Sequence, residues 1–347
     1  MSFKKIFLLV IALGLIIGAY FAYTIYAAFF TTNTNFDEAK EIVYIKSDAS
    51  FNDVLTQLNP LLKDVDAFES AAHKKGYASN VKAGKYILEK GMNNNAIINT
   101  LRSKNVPVKL AFNNQETLED LAGRVASQIE ADSISLLNAF NDSEFLKQNN
   151  FNLDTKLAMY IPNSYEFFWN TSAIKFRDRM LKEYQRFWNE QRLAKAQNLK
   201  MTPIEVATLA SIVHKETAKV DERPRVAGVY LNRLRDGMLL QADPTVIYAL
   251  KLHSGDFNQV IKRVLYRDLE LDSPFNTYKY GGLPPGPIAM PDITAIDAVL
   301  NSEKHDYFYF VANVENFGYH KFAKNLAQHN RNKEQYVRWI NSQNINR

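Results

Sequence analysis

The sequence predicts an α+β protein carried behind one N-terminal transmembrane helix, and three observations lead there. The chain opens with a long apolar run free of charge. It then mixes short β-branched segments with helical periodicities. Its 347 residues, 46% apolar and 23% charged, are ordinary globular composition and suffice for one sizeable domain plus a smaller one.

The first element is the apolar run. Ile6 to Phe30 contains no charged residue over 25 positions and follows Lys4 and Lys5. That length spans a bilayer with some tilt, and the lysines put the N-terminus in the cytoplasm. A cleaved signal peptide has a similar charged start, but the run exceeds an ordinary signal core, and Tyr20, Tyr23 and Tyr26 spread aromatics toward the far interface. A retained single-pass anchor is expected over residues 1–30, with a polar linker over 31–40 and all later residues outside the cytoplasm.

A small unit is expected over 41–105. Ile42 to Ile45 reads as a strand, and Ser50 caps a helix with Phe51, Val54, Leu55 and Leu58 on one face. Val65 to Lys75 reads as a second helix and Gly84 to Leu88 as a returning strand, a βααβ order, before a short helix near Asn94 to Ser103. The larger mixed α+β domain is expected over 106–347. It starts with a strand at Val106 to Phe112 and a helix capped by Thr117 with Leu118, Leu121, Ala122, Val125 and Ile129 on its apolar face. One amphipathic helix is predicted from Ala173 to about Gln197, its Met180, Leu181, Tyr184, Phe187 and Trp188 stripe facing core. Toward the C-terminus come a Gly/Pro-rich loop over Gly281 to Pro291, a helix from about Thr294, and Tyr307 to Val311 as a buried strand.

The most informative helix begins at Thr202. Thr202-Pro203-Ile204-Glu205 has the form of a capping box with proline at the first helical position. Steps of three and four back from Glu216 reach Val213, Ile212 and Leu209, so Glu216 shares their face. A carboxyl held partly out of water is raised toward neutrality, the condition for giving a proton and taking it back. Spacing alone also fits a Glu with a solvated head, the commoner case. A second helix over about Glu222 to Arg235 carries Val226, Val229, Tyr230 and Leu234 on one face, ends at Gly237, and can pack on the first as a hairpin.

Other chemistries find no footing. No cysteine occurs, and the six histidines form no HExxH pair, so neither a metal site nor a cofactor is expected. Nucleophile-elbow and P-loop patterns are missing. The net charge of +5 is dispersed rather than blocked, which makes nucleic acid a weak candidate and leaves polyanionic lipid or cell-wall polymer.

The run Ala210-Ser211-Ile212-Val213-His214-Lys215-Glu216-Thr217 is followed by Glu222-Arg223, Asn232-Arg233-Leu234, Gly237-Met238 and Leu240-Gln241-Ala242-Asp243-Pro244-Thr245. Downstream stand Ser273-Pro274-Phe275-Asn276-Thr277-Tyr278, Gly282-Leu283-Pro284-Pro285-Gly286-Pro287-Ile288, His320-Lys321-Phe322 and His329-Asn330. In this order the motifs closely resemble the YceG-like endolytic murein transglycosylases, over most of the chain. The resemblance implies a LysM-like small subdomain ahead of the catalytic domain and Glu216 as catalytic acid. His214 stands where the family has a further acidic residue, which leaves Glu216 as the acid of that motif; His214 itself reads as structural.

Substrate-binding roles are implied for Gln241, Asp243, Thr245, Asn276 and Tyr278, and for Tyr165 and Glu166. The latter two lie in Ile161-Pro162-Asn163-Ser164-Tyr165-Glu166-Phe167, where Asn163 replaces a family acid. An Asp capping a helix near Val246 to Leu250 is the structural alternative for Asp243. The implied activity is cleavage of the MurNAc–GlcNAc bond within peptidoglycan strands to leave a 1,6-anhydro end. It would act from the inner (cytoplasmic) membrane with the catalytic domain on the periplasmic side, with peptidoglycan synthases as further expected partners. A glycoside hydrolase using water, with Asp243 positioning it, and a non-enzymatic wall-binding scaffold are the alternatives.

Overall fold

The structure, a computed structural model, describes residues 3–342 and is mixed α+β with an apolar N-terminal helix. Its elements run α1 (Phe3–Phe30), β1 (Lys40–Ile45), α2 (Phe51–Leu58), α3 (Val65–Lys74), β2 (Gly84–Glu89), α4 (Asn94–Ser103), β3 (Pro107–Phe112), α5 (Leu118–Ala126), α6 (Ser133–Phe140) and α7 (Ser143–Gln148). They continue β4 (Asn163–Phe168), α8 (Ala173–Phe187), α9 (Glu190–Asn198), α10 (Pro203–Glu216), α11 (Arg223–Arg235), α12 (Asp243–Ser254), α13 (Ile293–Leu300), β5 (Tyr309–Ala312), β6 (His320–Ala323) and α14 (Leu326–Ser342). Among the described residues the strands form two-stranded sheets only: β1 with β2, β3 with β4 and β5 with β6. The chain divides into two compact units, one of residues up to 110 with 128–131 and 165–172, the other of the remainder.

In the first unit β1 and β2 pair antiparallel from Lys40 opposite Glu89 to Ile45 opposite Gly84. Val43, Ile45, Tyr86 and Leu88 point inward onto Leu58, Phe68, Ile97 and Leu101 of the flanking helices, all essentially buried. Ser50 and Asp53 form a full capping box on α2. The polar segment expected as a linker is instead built into this unit. Asn33, buried, donates to the Asp64 carbonyl and to Asn94 Oδ1, both at 2.7 Å, and the Asp64 amide donates back to Asn33 Oδ1 at 2.8 Å. Asn94 in turn donates to the Ala28 carbonyl of α1 at 2.7 Å. A helix end leaves carbonyls without partners, and folded residues satisfy one of them here.

The second unit is organised around α10. Val206 through Val213 are buried without interruption, so this helix is enclosed on all sides by α9, α11, α12 and α13 rather than presenting one stripe. Its core includes Leu209, Ile212, Val226, Tyr230, Leu240 and Val299. The close α11 crossing depends on Gly228, where a Cβ would stand 2.5 Å from the Glu303 carbonyl oxygen.

Three expectations need correction. The helix expected over Ala173 to Gln197 is two, because Trp188 turns into the core and Asn189 caps a new helix by accepting from the Arg192 amide at 3.0 Å. The strand expected as buried over Tyr307 to Val311 starts at Tyr309 and is half-exposed, packed by β6 and α14 and, through Phe310, against Tyr230 of α11. Asp243 is the first residue of α12, with Ala242 at the cap position, so it does not cap that helix with its side chain.

Candidate active site

The local sequence places Glu216 by stopping α10 where the core ends. Thr202 accepts from the Glu205 amide at 3.2 Å and Glu205 accepts from the Thr202 amide at 2.7 Å, which fixes the start. Thr217 leaves helical geometry at φ −139°, which fixes the end. Glu216 occupies the last turn, partly exposed, after eight buried residues. Tyr230, half-way along α11 and buried, donates its hydroxyl to Glu216 Oε1 at 2.6 Å.

Electrostatics set this carboxyl apart. Burial pushes Glu216 from the ordinary 4.5 up to about 7, against the Tyr230 hydrogen bond and the nearby His320 and Arg233, while the negative charge of Asp243 adds to the rise. Tyr230 is itself raised well above its ordinary range, by burial first and by the Glu216 charge next, so it stays a donor. Arg233 is buried and fixed by the Phe308 carbonyl at 2.6 Å and the Leu240 carbonyl at 2.7 Å. It thereby ties α11 to the loop that delivers Gln241 and Asp243.

That loop is laced to a second one. The Gln241 amide donates to the Thr277 carbonyl at 3.0 Å, the Ala242 amide to Thr277 Oγ1 at 3.0 Å, and the Thr245 and Thr277 hydroxyls meet at 2.8 Å. Asn276 is fully buried and gives its amide to the Leu269 and Leu271 carbonyls, while its oxygen accepts from the Tyr278 amide. Tyr278, so positioned, donates to Asp243 Oδ1 at 2.5 Å. Burial and this bond raise the Tyr278 hydroxyl well above its usual range. Exposed Gln241 holds φ at +48°, a left-handed backbone that a non-glycine residue adopts at a cost.

Of the sequence-predicted residues, Glu216, Asp243 and Tyr278 come together around one charge field, and Gln241 stands exposed beside Asp243. Thr245 and Asn276 are turned inward and hold the loops. Tyr165 and Glu166 lie on β4 in the first unit, partly and fully exposed. Sequence reasoning missed the polar roles of Tyr230, read as packing, and of Arg233 and His320. His214 Nε2 meets Asn114 Nδ2 at 2.8 Å, and Nδ1 lies 3.2 Å from Asp292, which caps α13 and takes both 2.7 and 2.9 Å bonds from Arg223. It ties the end of α10 to the start of α13.

A family model, the YceG-like family, matches residues 43–335. The chain belongs to the YceG-like family. It is 32% identical over 324 residues to the endolytic murein transglycosylase of Bacillus subtilis strain 168, covering 88% of this chain and 85% of that one. The endolytic murein transglycosylase of Streptococcus pneumoniae serotype 2 strain D39 is 31% identical over 311 residues, 80% of this chain and 54% of that relative. The chain thus spans about half the length of the pneumococcal protein. A crystal structure of a yceG-like protein from Listeria monocytogenes superposes with a TM-score of 0.57 at 31% identity, over 85% of this chain and 99% of that one.

Proposed function

We propose that this chain is an endolytic peptidoglycan transglycosylase held at the inner membrane by α1, with Glu216 as its single acid/base. The observation that carries the reading is the Glu216 carboxyl, brought to about 7 at the end of α10 and held by Tyr230. Glycosidases that use water need a second carboxylate to activate it or attack; a transglycosylase borrows its nucleophile from the substrate. Tyr230 occupies Oε1 and leaves Oε2 for proton transfer. Protonated Glu216 gives its proton to the oxygen linking MurNAc C1 to GlcNAc, and that C1–O bond breaks. The carboxylate then takes the proton of the muramic C6 hydroxyl as O6 bonds to C1, giving the 1,6-anhydro end and restoring the acid with no water consumed. Asp243, hydrogen-bonded by Tyr278, keeps the Glu216 proton available and presents an acceptor to sugar hydroxyls, with Gln241 beside it. Thr245 and Asn276 act by holding the two loops, and Tyr165 and Glu166 are proposed to contact the glycan strand.

The membrane reading is supported by α1, 28 residues without a charged group after Lys5 and long enough to cross a bilayer. Asn94 binds its last turn into the first unit, a contact that a removed leader would not retain. We further read the βααβ order of the first unit as a LysM-like module adding grip on glycan, and synthases as neighbours. Mass spectrometry of uncrosslinked glycan digested by wild type and by Glu216→Gln tests the whole. Anhydro ends from wild type only are expected; reducing muramic ends, one water heavier, would favour hydrolysis with Asp243 positioning water. Activity and phenotype untouched in Glu216→Gln, but abolished by deleting residues 41–90, would favour a wall-binding scaffold.

A further inference from the structure

A cavity of about 320 Å³ lies in the second unit, lined by Glu116, Lys215, Pro244, Tyr248, Lys251 and Phe257 among others. Lys215 and Lys251 both donate to Glu116, at 2.5 and 2.6 Å. Two ammonium groups share one carboxylate, so these three groups together carry a net charge of +1. Burial works to raise Glu116, yet the two lysines outweigh it and hold the carboxyl below its usual range. Asp154 and Glu119 act on the Tyr248 hydroxyl and also on Lys156. The wall is otherwise apolar and amide, with Ile247, Phe257, Asn258 and Gln259.

Position gives this cavity meaning. Its lining includes Lys215, the residue before Glu216, and Pro244, the residue after Asp243. Their Cα atoms are therefore each one step, about 3.8 Å, from the Cα of a residue of the candidate active site. Muramic acid carries its peptide stem on the ring whose C1–O bond breaks, and three extended residues reach about 10 Å.

Building on the activity proposed above, we propose that this cavity takes an acidic residue of the peptide stem on the muramic sugar being cleaved, its carboxylate sharing Lys251 and Lys215 with Glu116. Charge-assisted bonds from two lysines give such a site its preference for carboxylate over amide. Stem recognition would then select glycan that still bears peptides over denuded strands.

The test compares kcat/KM of the full-length protein in detergent on one preparation of uncrosslinked glycan before and after amidase removal of the stems. Lys251→Met is expected to lower the stem-bearing to denuded ratio about tenfold, chiefly through KM. Lys251→Arg should keep the ratio, and Glu116→Gln, which frees both ammoniums, should raise it. If the lysine bridges only fasten Glu116 to α10 and α12, the variants change both substrates alike, and an unchanged ratio overturns the proposal. A second arm titrates a free acidic tetrapeptide stem into the Glu216→Gln protein by NMR. Saturable binding that weakens in the added Lys251→Met background supports the site; no saturation at millimolar peptide overturns it. That arm requires no cleavage, so it decides this question even if the chain proves not to be a transglycosylase.

Discussion

Replacing Glu216 by Gln should abolish cleavage and at the same time stabilise the protein, by an amount that grows with pH. Burial raises the carboxyl from 4.5 to about 7. Below pH 4.5 the group is neutral in folded and unfolded chains alike, so the elevated pKa gives its full relative benefit there. As pH rises through 7 the unfolded chain ionises freely while the folded one must hold a charge in a poorly solvated place, and that benefit is lost. The gap between 4.5 and about 7, at 1.36 kcal/mol per pH unit, amounts to about 3 kcal/mol. Gln does not titrate, so the stability difference between variant and wild type should widen by about 3 kcal/mol between pH 4 and pH 8. Urea unfolding of both proteins in the same detergent at those two pH values measures it. Activity should fall at least about a hundredfold. A difference that stays flat with pH, or that shrinks, would refute the claim that Glu216 is a desolvated acid.

Glu216 must be protonated for the first step, so activity should decline as pH climbs through its pKa. Tyr230→Phe removes a hydrogen bond to the ionised form, and the alkaline limb of the cleavage profile should move up by about 1–2 pH units. Asp243→Asn removes a charge that raises Glu216, so the limb should move the other way; a shared direction for the two variants would sink the electrostatic account. Arg223→Ala strips Asp292 and the Thr217 carbonyl of a buried partner and should cost about 3 kcal/mol in a denaturant titration. Gly228→Ala forces a methyl against the Glu303 carbonyl and His305, and should lower stability by about 1–3 kcal/mol without moving the pH profile.

Where local rules dominate, the fold was legible from sequence. The cap at Ser50 with the apolar face of α2, and the capping box at Thr202 with the apolar spacing of α10, predict helix positions that the structure bears out within a residue or two. The break at Asn189 was not legible, because Trp188 continues the aromatic stripe while its burial in the core turns the chain. Nor were α6, α7 and α14 anticipated, the first two being short and set by Asp132 and Asp142 caps rather than by long periodicity. At the site, Glu216 stood out by position, but its partner Tyr230 did not. A tyrosine on an apolar helix face reads as packing, and only the crossing of α10 and α11 gives its hydroxyl a target. Asn276 misled in the opposite sense: in a loop without periodicity an amide suggests ligand contact, whereas here both its ends bind backbone.

The Asn33–Asn94–Ala28 chain of hydrogen bonds has a mechanical corollary. A domain on a slack leash samples a hemisphere whose radius grows with the leash, and its local concentration at any one height is diluted accordingly. Here the leash has been reeled in: the last turn of the apolar helix ends in the side chains of the unit it carries. In a bilayer, that unit would stand as a post at one height and one tilt, and would meet only glycan passing at that level. Lengthening the junction after Phe30 with glycine and serine should then free that unit to tilt against the apolar helix, a change in its freedom produced without altering a single one of its buried contacts.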